Sequence, residues 1–70
     1  MTGIEQSFAK DFCNELKNQG IAYYTNKEGS FISNIRIMGD WADPEGQLKE
    51  VFDIVKNSKP ELYKDVQYEN

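Results

Sequence analysis

The sequence predicts a small α+β domain in the order α-β-β-α-β, and three patterns carry that expectation. Apolar residues recur at helical spacing in 2–18 and again from about 44 to 57. Between these segments, 21–38 holds two β-rich runs around a glycine-ended turn. Beyond Pro60, apolar and polar residues alternate as in a strand. Residues 1–70 form one domain, because a chain of 70 residues supports a single core and buries only ~60% of its unfolded surface.

The first helix is amphipathic. Ile4, Phe8, Phe12 and Leu16 recur every four residues, with Ala9 and Cys13 beside them. Thr2 and Glu5 have capping-box spacing. Gly20 stands where a helix turns left-handed to stop, and Ile21 just beyond it is placed to touch Leu16.

The hairpin follows. Asn26, Lys27, Glu28 and Gly29 fit a type I turn closed by a residue of positive φ. That turn sets Tyr24 opposite Ile32, Tyr23 opposite Ser33 and Ile21 opposite Ile35. Side chains alternate, so the odd face carries Ile21, Tyr23, Phe31, Ile35 and Ile37. The even face carries Ala22, Tyr24, Ile32, Asn34, Arg36 and Met38. The odd face is the more apolar, so both helices are expected on it.

Gly39 ends the second strand. Asp43 followed by Pro44 predicts an N-cap and first turn. The second helix carries a stripe of Leu48, Val51, Phe52 and Val55 with Ile54 at its edge, and Glu45 stands four residues before Lys49. The tail has two readings, one helical turn over 60–64 and strand-like alternation from Leu62; a short turn and then a strand, 65–68, are expected, the strand completing the sheet because two strands alone are weak. This element order resembles a ferredoxin-like fold lacking its first strand, a resemblance of order alone that carries no function with it.

Composition bounds function mainly by exclusion. Four Phe, four Tyr and one Trp supply a globular core. Twelve acids against eight Lys and Arg give a net charge of −4, which disfavours direct nucleic-acid binding and anionic membranes. Cys13 is the single cysteine, so a reducing, cytoplasmic setting is expected. No apolar run reaches membrane-spanning length, and the first residues do not read as a signal peptide.

No catalytic constellation emerges. Histidine is absent, as are Gly-rich phosphate loops and Cys-x-x-Cys pairs. Cys13 lies mid-helix beside Phe12, where a cysteine packs rather than reacts. Asp40, Asp43 and Glu45 crowd one loop but lack calcium-loop spacing, so capping and solubility explain them better. No enzyme activity, cofactor or metal is expected.

The expected function is binding, with a protein as the partner and a homodimer as a further option. Tyr24, Ile32, Arg36 and Met38 on the even face, with Trp41 at the next corner, form the candidate surface. An aromatic and apolar group around an arginine has the composition of an interface. Trp41 has two readings, a plug at the end of the core and an exposed anchor. A second hypothesis is charge mimicry of nucleic acid by Asp40, Asp43, Glu45, Glu50 and Asp53, as in a phage or plasmid anti-defence inhibitor. Interspersed lysines blunt it. A third is a weak single-strand RNA platform on the aromatic sheet.

Overall fold

A computed structural model describes residues 3–25 and 34–68. Helix α1 (Gly3–Asn18) leads to strand β1 (Tyr23–Thr25), strand β2 (Ile35–Ile37), helix α2 (Pro44–Ser58) and the single turn α3 (Pro60–Tyr63). Among the described residues the sheet has two antiparallel strands. The α+β class and the order α-β-β-α agree with the sequence.

The helix ends form as the local chemistry dictates. Gly20 takes φ +75°, and Ile21 N donates to Leu16 O at 2.9 Å while Gly20 N donates to Lys17 O at 3.0 Å. This pair of bonds satisfies carbonyls that a helix end leaves open, and it brings Ile21 down onto Leu16 in the core. At α2, the Asp43 carboxylate accepts from Gly46 N at 3.1 Å, with Pro44 in the first turn. Thr2, the expected cap of α1, lies outside the described residues.

The core forms between the helices and the odd face of the sheet. Phe8, Phe12 and Leu16 of α1 meet Leu48, Val51, Phe52 and Val55 of α2, with Ile21, Ile35 and Tyr63 closing the cluster. Tyr23 and Ile37 pack against it from the sheet. Phe8 is central, its ring 4.9 Å from Phe52 and 4.8 Å from Tyr63. Ile4 and Ile54, at the ends and edges of the two stripes, are exposed.

The strand register differs from expectation. Tyr23 lies opposite Ile37, Tyr24 opposite Arg36 and Thr25 opposite Ile35. Tyr23 therefore meets a residue four places beyond Ser33, its expected partner. A tight turn at 26–29 would leave Ile37 without a cross-strand partner, whereas the observed register sets both isoleucines of β2 against β1 over the helices. The shift is even, so each side chain keeps its face. The turn itself, Phe31, Ile32 and Ser33 lie outside the described residues.

The tail also departs from the expected pattern. Pro60 starts a helical turn, and 66–68 follow without strand structure. The expected third strand at 65–68 is not formed, so the ferredoxin-like resemblance does not extend to the sheet. Helical geometry turns Tyr63 inward to complete burial and leaves Leu62 45% exposed, the reverse of what strand alternation gives. The tail is tied down instead by its own contacts. Lys56 Nζ donates to Val66 O at 2.7 Å, and the Tyr68 ring meets Phe52 edge-on at 5.3 Å.

Candidate functional site

The even face of the sheet is the exposed one. Odd residues are drawn toward the helices, which leaves Tyr24 50% and Met38 53% exposed. Met38 N donates to Ala22 O at 2.9 Å, so Met38 sits across from Ala22 and diagonal to Tyr24. Arg36 is half-buried opposite Tyr24, and its Nη1 donates to Ile35 O at 3.1 Å. The expected pairing of Tyr24 with Ile32 is replaced by Tyr24 with Arg36, because the register moved.

Trp41 stands at the corner after β2, outside the core cluster. Its Nε1 donates to Met38 O at 2.9 Å, and the residue is 37% exposed. Gly39, between them, takes φ +112°. A Cβ at Gly39 would stand 3.3 Å from Trp41 Nε1, so this corner needs glycine for both backbone and space. The plug reading of Trp41 is therefore corrected, since the indole caps its own corner and stays outside the core cluster. Tyr24, Arg36 and Met38 share the even face, Trp41 is bonded to the backbone of Met38 at its end, and Ile32 lies outside the described residues.

Three of the five acids singled out for charge mimicry are engaged within the chain. Asp43 is committed to the α2 cap, and Glu45 accepts from the Tyr68 hydroxyl at 3.0 Å. Asp53 pairs with Lys49 at 3.4 Å, so Lys49 meets Asp53 and not the expected Glu45. Asp40 and Glu50 are exposed on the surface. Among the described residues no group of three or more acids or cysteines is placed to hold a metal. Cys13 is half-buried beside Tyr23, whose hydroxyl pKa is raised first by burial and then by its hydrogen bond with Cys13.

A polar network that sequence reasoning missed joins α1 to α3. The buried Tyr63 hydroxyl donates to Asp11 Oδ2 at 2.6 Å and lies 3.1 Å from Ser7 Oγ. Lys59 Nζ donates to the same Asp11 oxygen at 3.0 Å. The Tyr63 hydrogen bond and then Lys59 hold the Asp11 carboxyl below its ordinary pKa, while burial pushes the Tyr63 hydroxyl up. Beside it a shallow groove of about 190 Å³ opens between α1 and α2, with Asn14, Asn18, Ile54 and Ser58 among its walls. Asp11 stands 48 residues from Lys59 and 52 from Tyr63 in sequence, so no local pattern could have signalled the network.

Among the described residues no helix is long and apolar enough to cross a membrane. Comparison with protein-family models, with curated proteins and with solved structures finds no match to this chain.

Proposed function

We propose that this chain is a non-catalytic binding module that docks a protein partner on the even sheet face. One observation carries the reading: Tyr24 and Met38 are exposed beside Arg36 on one face of the sheet, with Trp41 exposed at the adjoining corner, while Ile35 is buried and Tyr23 and Ile37 pack against the core. Scattered single apolar residues need no explanation, but a contiguous aromatic, thioether and guanidinium group has the make-up of an interface. Tyr, Trp and Arg are also the residues that carry most interface energy.

Acidic mimicry ranks second, because three of its five carboxylates are engaged within the chain. The RNA-platform reading ranks behind that, with Arg36 the one cation on the face among the described residues. Within the proposal the module acts in the cytoplasm as an inhibitor or accessory factor, and a phage- or plasmid-borne role suits its size. The test is cross-linking capture compared between variants. A partner that binds the wild type and the Asp40→Lys/Glu50→Lys double variant, but not Tyr24→Ala or Trp41→Ala, supports the face. A partner lost on charge reversal and kept by Tyr24→Ala would establish mimicry instead.

A further inference from the structure

The two edges of the sheet are protected unequally. Met38 N donates to Ala22 O, so Ala22 and Met38 form a hydrogen-bonded pair, and alternation makes Tyr24 and Arg36 the next such pair. The N–H and C=O groups of Tyr23, Thr25, Ile35 and Ile37 therefore point outward, away from the partner strand. At the β2 edge the Arg36 guanidinium folds back onto Ile35 O, and its charge also reaches Tyr68 of the tail. At the β1 edge no hydrogen bond engages the backbone of Tyr23 or Thr25 among the described residues. Segment 21–25, Ile-Ala-Tyr-Tyr-Thr, carries no charge and no proline. It carries neither the charge nor the proline that keep an edge strand from pairing with another chain, and only the three-residue length of β1 limits pairing.

We infer that β1 is a self-association edge, and that two copies of this chain pair antiparallel through it about a two-fold axis at Tyr24. The register is self-complementary. Tyr23 of one copy exchanges both backbone hydrogen bonds with Thr25 of the other, and the same pair recurs across the axis. Tyr24 then faces its own symmetry mate in the closer, non-hydrogen-bonded pair, where aromatic side chains touch. The occupant is a second copy because the contact is uncharged. Two chains of net charge −4 meet there without opposing any ionised side chain. Pairing also turns two 2-stranded sheets into one of four strands, past the size at which a sheet is weak. It makes the two even faces continuous, with Met38 and Trp41 at each end. The inference concerns the strand edge and does not depend on what docks on the face.

Sedimentation across a concentration series tests it, with thermal melts to verify that each variant folds. A monomer–dimer equilibrium is expected. Thr25→Pro removes an outward donor without breaking the β1–β2 ladder and should weaken the dimer roughly tenfold or more. Tyr24→Lys sets like charges across the axis and should do the same. Met38→Lys, on the same face but away from the axis, should leave it unchanged. Should Thr25→Pro or Tyr24→Lys fail to fold, a mixture of isotope-labelled and unlabelled wild type reads the contact directly, through intermolecular NOEs between Tyr23 and Thr25. A monomer at every concentration, a dimer that survives Thr25→Pro, or one lost only in Met38→Lys would overturn the inference.

Discussion

Tyr63 shows how one hydroxyl can decide the state of a whole side chain. A buried phenol needs a partner, and Asp11 supplies a charged one while Ser7 lies within reach of the remaining lone pairs. Tyr63→Phe keeps the ring against Phe8 and removes both bonds. It should cost about 1–3 kcal/mol in a denaturant titration, the range for a hydrogen bond to a charged group. Tyr63→Ala empties the site and should cost about 3–5 kcal/mol, enough to unfold a domain of this size. Folding lowers the Asp11 pKa from 3.8. Its contribution is therefore present above that value and lost as pH falls through the lower folded one. Thermal melts below that pH should decline more steeply for the wild type than for Asp11→Asn. Tyr68 behaves in the opposite sense. Burial and then Glu45 raise its pKa from 10.0 to about 12, so its contribution is intact below pH 10 and lost as pH climbs toward 12. Alkaline melts of Tyr68→Phe should show a shallower decline, the remainder coming from Tyr23 and Tyr63, whose hydroxyl pKa values are raised as well.

Elements were legible in the sequence where their determinants are local. The end of α1 needs only Leu16, Gly20 and Ile21 in a row of six, and the start of α2 needs only Asp43, Pro44 and the amide at Gly46. Gly20→Ala places a Cβ at positive φ and should cost about 1–2 kcal/mol, with a matching loss in thermal stability. Asp43→Ala should cost about 0.5–2 kcal/mol by loss of the cap. The pairing of β1 with β2 was not legible, because the observed register sets Ile35 and Ile37 against β1 over the helices, a match that residues distant in sequence make. The tail was misread for a related reason. Alternation over 62–68 is real in the sequence, but Pro60 is pre-set for a helical first turn, and the pocket beside Phe8 holds Tyr63 better than solvent does.

At the scale of the molecule, the division into a core face and an exposed face is what places the candidate site. That division was readable, because side-chain parity survives any even shift in register. Membership of the site was only partly readable: Trp41 needed the Gly39 corner to be seen. Of the five acids proposed for mimicry, a cap, a tail hydroxyl and a lysine engage three, and Asp40 and Glu50 stay exposed. The same division yields opposite expectations for two aromatic residues. Tyr24 is half exposed and contributes nothing to the core, so Tyr24→Ala should leave the melting temperature nearly unchanged. It should weaken partner binding by about 1–3 kcal/mol, the loss of a moderate anchor. Arg36→Ala should weaken binding in the same range and also uncover Ile35 O at the strand edge. Phe52 is buried between Phe8 and Tyr68, so Phe52→Ala should cost about 3–5 kcal/mol of stability and show no binding defect separable from unfolding. A melt and a titration on each variant decide the matter. If Tyr24→Ala unfolds the chain, the exposed face is structural and the proposed site is lost. If it folds and binds as the wild type does, the partner docks elsewhere, and the groove between α1 and α2 is the next surface to vary.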